Sequence, residues 1–201
     1  MTAHFPFVRD LLRHLETVGF TGAPRYRGVD QEGRAVLTYV EGWVPHGTEP
    51  GAWTDEQLRH AACLLRAFHD ATAGNALAGD DEVVCHNDYA PWNTVFVADL
   101  PTAMIDFDDV QPGPRVRDVA YAIWCWLSLG TAAVGIREQA RRIALMCDAY
   151  GLGDRHLLAP QLAMRQREIL AQHTRNGWGD RARIVAAEIT WWQAHAADVL
   201  G

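Results

Sequence analysis

The spacing of apolar residues divides the first third of the chain into helical and extended segments. Apolar positions recur every three or four residues over Phe7–Val18, which predicts an amphipathic helix. Two short extended runs at 25–29 and 35–40 flank the polar sequence DQEG, which predicts a β-hairpin. The sequence TDEQ then has the pattern of a capping box and predicts a helix over 54–72.

The remainder of the chain changes from short apolar runs to long helical periodicity. The runs VVC, TVFVA and AMI are separated by the turn-like sequences HNDYAPWN and DLPT, so we expect short strands that carry loops at their ends. Asp180 is the expected N-cap of the last helix. Strands that precede a run of helices indicate an α+β fold. The helices are expected at 118–129, 136–150, 160–173 and 182–200.

An uncharged stretch over Val119–Ile136 reaches the lower length limit of a membrane span. Ser128, Gly130, Thr131 and Gly135 interrupt it. We therefore expect a buried helix, a turn and the start of a second helix, and no membrane association.

Charge and cysteine content narrow the functional classes. The chain has 201 residues, a formal net charge of −7 and a pI near 5.7. An acidic chain without a basic cluster argues against nucleic acid as a partner and is compatible with a cationic or neutral small molecule. The four cysteines form no C-x-x-C pair, and the N terminus has charges where a signal peptide needs an apolar run. We therefore expect reduced thiols and a cytoplasmic location.

The sequence HNDYAPWN contains two residues suited to phosphate chemistry. Asp88 follows an apolar run, and Asn93 comes five residues later in the same predicted loop. The Asp could accept a proton from an attacking hydroxyl while the Asn oxygen reaches a Mg²⁺ ion. The alternative is an ordinary turn, because Asp, Asn and Pro all favour turns.

A second motif, AMIDFDD, makes the turn interpretation less favourable. It places Asp106 at the end of another apolar run, 18 residues after Asp88. Mg²⁺ prefers hard oxygen ligands, often one or two carboxylates with substrate phosphates. Asn93 and Asp106 are therefore the predicted metal ligands, and a solvated acidic turn is the alternative for 106–109.

Together the motifs CHNDYAPWN and MIDFDDVQPGPRVRDVAYA resemble the aminoglycoside phosphotransferase and choline kinase family, which shares the protein-kinase-like fold. The first matches the family pattern H-x-D-x-x-x-x-N, and the second its I-D-[FW] strand end, Gly/Pro loop and D-x-A helix start. The resemblance runs from about Phe7 to the last helices. It implies a reduced N-lobe of a helix and a hairpin over 1–42, and a mainly helical C-lobe over 43–201.

The resemblance also implies roles for single residues. Asp88 would be the catalytic base, and His86 would shape its loop by hydrogen bonds. Asn93 and Asp106 would hold Mg²⁺. Asp118 resembles a buried Asp that braces the catalytic loop through backbone N–H groups, and a plain helix N-cap is compatible with that role.

The resemblance to the family is incomplete in the part of the fold that would bind the nucleotide. Backbone groups of Tyr39, Val40 and Glu41 fall where the family's hinge meets the base of ATP or GTP. The family's first strands, with a phosphate-covering loop and a lysine, would precede Phe7, and all 18 basic residues of this chain are Arg. The segment 28–35 has the glycine spacing of a P-loop but joins two strands, so we expect a hairpin turn there. Arg25, Arg27 and Arg34 are candidates to neutralise phosphate in place of lysine.

Two functions follow from this pattern. The first is ATP- and Mg²⁺-dependent phosphorylation of a small-molecule hydroxyl, at a rate that is slow rather than zero without the lysine. The second is a non-catalytic, pseudokinase-like module that binds a ligand or partner. Four acids are candidates for a cationic pocket, and an exposed edge strand predicts a homodimer. The acids are Asp108, Asp109, Glu168 and Glu188.

Overall fold

The structure is a computed structural model that describes residues 5–47, 49–131 and 133–200. It is an α+β fold in which small sheets come before a helical region, as the sequence predicts. The helices are α1 (Phe5–Thr17), α2 (Asp55–Thr72), α3 (Arg115–Leu127), α4 (Ile136–Tyr150), α5 (Leu158–Arg175) and α6 (Gly179–Leu200). The strands are β1 (Tyr26–Val29), β2 (Ala35–Leu37), β3 (Val83–Cys85), β4 (Thr94–Val97), β5 (Leu100–Met104) and β6 (Gln111–Gly113).

Over the described residues the strands form three two-stranded antiparallel sheets: β1 with β2, β3 with β6, and β4 with β5. The third sheet places Thr94 opposite Met104, so the residues just before β4 and just after β5 lie at one end of the hairpin. Trp43 forms an isolated antiparallel bridge to Phe96 on β4. The segment after β2 is thereby attached to the sheet that carries the 93 and 106 positions.

The amphipathic helix and hairpin predicted near the N terminus are both present. Leu11, Leu12 and Leu15 of α1 are fully buried or nearly so and belong to the main hydrophobic core. In the hairpin turn, the Asp30 carboxylate accepts from the backbone N–H groups of Glu32 and Arg34 at 2.9 and 2.8 Å. This is the local Asx geometry that turn residues favour. The P-loop-like spacing at 28–35 is therefore a hairpin turn.

The capping box at the start of α2 is also confirmed. The Thr54 hydroxyl accepts from the Gln57 backbone, and the Gln57 side chain accepts from the Thr54 backbone. These two bonds satisfy N–H groups that have no partner within the helix. Leu58, Leu65 and Phe68 then place the apolar face of α2 in the core.

Helix α3 is the central element of the helical region and is buried along most of its length. Ser128 ends it in a left-handed conformation, and α4 begins at Ile136, so the uncharged stretch is a buried helix, a turn and a second helix start as predicted. Within the described residues, no helix combines the length and the apolar character that a membrane crossing requires.

Three sequence expectations were wrong in detail. Helix α6 begins at Gly179, so Asp180 lies in its first turn and is not its N-cap. Helix α3 begins at Arg115, which places Asp118 inside the helix instead of at its cap. Strand β6 was not expected, because QPG lacks the apolar alternation of a strand.

One hydrophobic core extends from α1 to α6, and the lobe boundary at residue 42 stays a prediction.

Candidate active site

The loop that carries Asp88 follows β3, a fully buried strand. All three residues of β3 are fully buried, and β3 pairs with β6 from Val83 to Cys85. The loop of residues 86–93, called here the catalytic loop, follows directly and ends in a short 3₁₀ turn at Pro91–Asn93. Because both of its ends are anchored in sheets, the loop has a defined conformation.

Asp88 is a half-buried carboxylate held by two side chains. The Tyr121 hydroxyl donates to its Oδ1 at 2.5 Å, and the Asn93 amide nitrogen donates to its Oδ2 at 2.7 Å. Burial raises the pKa of Asp88 above its usual range, and the bonds from Tyr121 and Asn93 partly offset that rise. A carboxylate with a raised pKa, oriented by two donors, is suited to accept a proton.

Asn93 and Asp106 lie at the same end of the β4–β5 hairpin. The backbone N–H of Ile105 donates to the Asn93 carbonyl at 3.0 Å, next to the Thr94–Met104 pair. The Asn93 amide nitrogen is engaged by Asp88, so its amide oxygen is left for another partner. The two predicted ligands are thus brought to one edge of the sheet.

Asp106 is exposed and adopts a left-handed conformation, with φ of 64°. Residues other than glycine rarely adopt this conformation, and they are enriched at functional sites when they do. Among the described residues, no side-chain hydrogen bond or ion pair occupies the Asp106 carboxylate. A carboxylate and an amide side chain at one end of a hairpin provide the oxygen ligands that suit Mg²⁺.

His86 links the catalytic loop to the loop that carries Asp106. The side chain is fully buried, and its Nε2 donates to the Ile105 carbonyl at 3.1 Å. Burial lowers the pKa of His86, which favours the neutral ring. The predicted hydrogen-bonding position is therefore observed, and the buried ring holds two loops together without reaching the surface.

Asp118 braces the start of the catalytic loop, as the resemblance implies. Its carboxylate accepts from the backbone N–H groups of His86 at 2.6 Å and Asn87 at 2.9 Å. His69 Nε2 lies 3.1 Å from the same carboxylate, and Tyr150 contacts the other ring nitrogen at 2.6 Å. Burial alone would raise the pKa of Asp118, but these donors outweigh it and the pKa lies below its usual range.

The predicted hinge at Tyr39, Val40 and Glu41 is an extended segment between β2 and Trp43. Tyr39 is 82% exposed. No backbone hydrogen bond to another described residue occupies the N–H or C=O groups of these three residues. Their role in nucleotide binding stays a prediction.

Comparison with known proteins decides the family of the chain. Residues 36–161 match the family model of the phosphotransferase enzyme family, and this range covers more than half of the chain. The chain belongs to the phosphotransferase enzyme family. The matched range contains the catalytic loop, Asp106 and Asp118.

One curated relative of this phosphotransferase-family chain is the trifolitoxin immunity protein of Rhizobium leguminosarum bv. trifolii. It is 34% identical over 172 residues, which cover 72% of this chain and 63% of the relative. The chain thus spans about 63% of the length of the curated relative it matches.

Two solved structures have a fold similar to that of this chain. One is a Ralstonia eutropha JMP134 protein that is named as a putative aminoglycoside phosphotransferase. Its TM-score is 0.59 at 15% identity, and the match covers 92% of this chain and 82% of that one. The other is spectinomycin phosphotransferase APH(9)-Ia in complex with ADP and spectinomycin, with a TM-score of 0.59 at 11% identity, covering 93% and 78%. At these identities the likeness shows the protein-kinase-like fold alone.

Sequence analysis did not identify several residues that position the candidate active site of this phosphotransferase-family chain. Arg165 donates to the Asn87 carbonyl at 2.8 Å, and its guanidinium lies 5.1 Å from the centre of the Tyr121 ring. Arg117 donates to the Asn87 side chain at 2.9 Å. Tyr121 and both arginines come from helices far along the chain, so no local spacing identifies them.

A cavity of about 620 Å³ opens beside Asp88. Two of the four acidic candidates, Asp109 and Glu188, line it. Glu168, the third candidate, is not among the lining residues of this cavity, and its carboxylate pairs with Arg117 and Arg165. Asp108 lines a separate cavity of about 280 Å³, together with Asp106 and residues of α1 and the hairpin.

The three arginines considered as phosphate ligands differ in whether their guanidinium groups pair with an acidic side chain. Arg27 pairs with Glu16 at 3.2 Å, and Arg34 pairs with Asp30 at 2.7 Å. The Nη1 atom of Arg25 is buried without a hydrogen-bond partner among the described residues. Arg25 is thus the candidate whose guanidinium is least committed within the chain.

Proposed function

We propose that this protein transfers the γ-phosphoryl group of ATP or GTP to a hydroxyl of a small molecule. The observation that carries the proposal is the arrangement around Asp88. A half-buried carboxylate is oriented by Asn93 and Tyr121, next to the sheet end that presents Asp106. Family membership and the fold shared with a phosphotransferase crystallised with ADP support the same chemistry.

In the proposed reaction, Asp88 orients the acceptor hydroxyl and takes its proton. The hydroxyl oxygen forms a new bond to the γ-phosphorus while the bond from that phosphorus to the β–γ bridging oxygen breaks. The products are the phosphate ester and the nucleoside diphosphate. Phosphoryl transfer depends mainly on positioning and electrostatics, so the fixed geometry of Asp88 is its contribution.

Asn93 and Asp106 would hold Mg²⁺, which when bound neutralises phosphate charge. The nucleotide base would contact the backbone of Tyr39, Val40 and Glu41, which no described backbone group occupies. Asp118 and His86 would contribute indirectly, because both side chains are fully buried and their hydrogen bonds fix the loop.

For the acceptor, we propose a toxic or antibiotic compound, either aminoglycoside-like or an amino alcohol. The curated relative is named for immunity to trifolitoxin, and one fold neighbour is a spectinomycin phosphotransferase. The cavity beside Asp88 has space for such a molecule, since ligand sites measure about 300–1,000 Å³.

A second candidate is a pseudokinase-like binding module without turnover. It is favoured by the absence of lysine from the 201 residues and by the pairing of Glu16 with Arg27. In this case the cleft would bind a ligand or partner but leave ATP intact.

The two candidates are separated by ³¹P NMR of the protein with MgATP and a panel of aminoglycosides and amino alcohols. The proposal expects a new phosphate-ester resonance and equimolar ADP, both lost in Asp88→Asn. The exposed Asp80→Asn is the matched control and is expected to retain turnover. Nucleotide binding without any ester product over the whole panel would favour the binding module.

A further inference from the structure

Three helices contribute to the wall of the cavity beside Asp88. The lining residues of each helix are spaced three, four or seven apart, so they lie on one face of that helix. The α6 face is Arg181, Ile184, Val185 and Glu188. The catalytic loop closes the remaining side with Asp88 and Trp92. A molecule bound there would have one end at Asp88 and its body among the helices.

Three tryptophans line the cavity that such a body would enter. Trp92 of the catalytic loop and Trp178 before α6 are 43% and 44% exposed, and Trp124 of α3 is 6% exposed. Exposed tryptophans that converge on one cavity are typical of a binding surface and not of a core. These walls favour a ligand with a flat apolar ring system.

The helical walls carry one carboxylate and one guanidinium among the described residues that line the cavity. Glu188 is half-buried, and the Trp124 indole N–H donates to its Oε2 at 3.2 Å. Arg181 is exposed, and its guanidinium lies 5.1 Å from the centre of the Trp178 ring. The helical part of the cavity therefore offers one half-buried carboxylate and an exposed positive charge, while Asp88 and Asp109 line the side of the loops.

Glu188 has this position because Gly130 allows a close approach of α6. A Cβ atom at Gly130 would lie 2.8 Å from the Glu188 Cα and 2.7 Å from its Cγ. Gly130 also has a φ of +103°, which residues with side chains rarely adopt. The turn after α3 is thus built so that α6 can bring Glu188 against Trp124.

We propose that the acceptor is an amphiphilic alcohol with a flat, ring-bearing apolar body and a single amino group. Its hydroxyl lies at Asp88, its rings pack on Trp92 and Trp178, and its ammonium pairs with Glu188 beside the Trp124 ring. A partly desolvated carboxylate is a strong hydrogen-bond partner for an ammonium group. A polycationic sugar has no flat apolar ring to pack on Trp92 and Trp178 and would bring further positive charge to Arg181, so it binds more weakly. This inference rests on the proposed phosphotransferase function.

The test is isothermal titration calorimetry with three probes on the whole chain. Propranolol has a naphthalene ring, one hydroxyl and one amine; 1-(naphthalen-1-yloxy)propan-2-ol lacks the amine; kanamycin is a polycation. Wild type is expected to bind propranolol at least tenfold more tightly than either other probe. Glu188→Gln is expected to reduce the affinity for propranolol to that for the neutral alcohol, whereas the exposed control Glu56→Gln keeps the difference. Trp178→Ala is expected to weaken both naphthyl probes.

Three results would overturn the inference: kanamycin binding as tightly as propranolol, an unchanged preference for the amine in Glu188→Gln, or no binding of propranolol by wild type at millimolar concentration. Titration of MgATP into the same samples separates this failure from that of the proposed function. If MgATP binds but the probes rank otherwise, only the substrate class is wrong. If MgATP does not bind, the phosphotransferase proposal fails whatever the probes do.

Discussion

At the scale of single residues, the proposed chemistry depends on how Asp88 is held. Its two oxygens accept from Tyr121 and Asn93, so its orientation is set by one residue in its own loop and one in α3. Arg165 in turn lies over the Tyr121 ring. The proposed base is therefore positioned from the helical region as well as from its own loop.

Replacing Tyr121 by Phe is expected to lower kcat about tenfold, because a hydrogen bond to a charged group contributes about 1.5 kcal/mol. KM for the nucleotide is expected to stay unchanged, since the hydroxyl contacts Asp88 and not the metal ligands. Steady-state kinetics measure both constants, with Tyr26→Phe as the control. A kcat equal to that of wild type would show that Tyr121 does not position the base.

Glu188 provides a prediction about stability and pH. Burial raises the pKa of Glu188 to about 7, well above that of an unfolded glutamate near 4.3. The folded state therefore binds more protons between these values, and the stability contributed by this group falls as pH rises from about 4.5 to 7. Glu188→Gln does not titrate, so its free energy of unfolding relative to wild type is expected to increase from pH 5 to pH 8.

Urea unfolding at the two pH values measures this change. The exposed Glu56→Gln is the control, and its difference from wild type is expected to be independent of pH. A pH-independent difference for Glu188→Gln as well would show that the carboxyl is not desolvated in the folded protein.

The sequence could indicate those candidate site residues that share a local pattern. Asp88, Asn93 and Asp106 were found because each follows or precedes a short strand at a fixed spacing. Tyr121 and Arg165 were missed because their relation to the site exists only after α3 and α5 have packed. Long-range contacts of this kind leave no periodic trace in a single sequence.

At the scale of elements, the strength of the local pattern decided what could be predicted. Helix α4 has the predicted bounds, Ile136–Tyr150, and α2 has the predicted capping box, because cap chemistry and apolar periodicity agree there. Strand β6 was missed because QPG is a strand only through its pairing with β3. The contact between the hinge segment and β4 was also not predicted.

Gly42 is the residue that permits this contact. Its φ is +140°, and a Cβ there would lie 2.4 Å from the Phe96 carbonyl oxygen. Gly28 has a similar φ of +137°, but a Cβ there would meet no atom within 4 Å. Gly42→Ala and Gly28→Ala thus share the backbone strain, and only the first adds a clash.

Gly42→Ala is accordingly expected to lose about 2 kcal/mol more of unfolding free energy than Gly28→Ala, as for overpacking of a close contact. Urea unfolding of the two variants measures the difference. Equal losses would mean that the hinge segment is not held against β4 as described.

At the scale of the whole molecule, one core joins α1 to the helical region, while the β1–β2 sheet lies at the surface. Val36 and Leu37 of β2 are each 42% exposed. An exposed strand edge with apolar side chains favours pairing with a second copy. We therefore expect a dimer at tens of micromolar by light scattering, converted to monomer by Val36→Lys. A monomeric wild type at that concentration would contradict the expectation.

The central claim is that Asn93 and Asp106 form a metal site that serves a nucleotide in phosphotransfer. The most direct test is calorimetry of ATP binding with and without Mg²⁺, on wild type, Asp106→Ala and the control Asp108→Ala. We predict Mg²⁺-dependent binding to wild type and Asp108→Ala, and its loss in Asp106→Ala. Absence of Mg²⁺-dependent ATP binding in wild type, or its persistence in Asp106→Ala, would contradict the account.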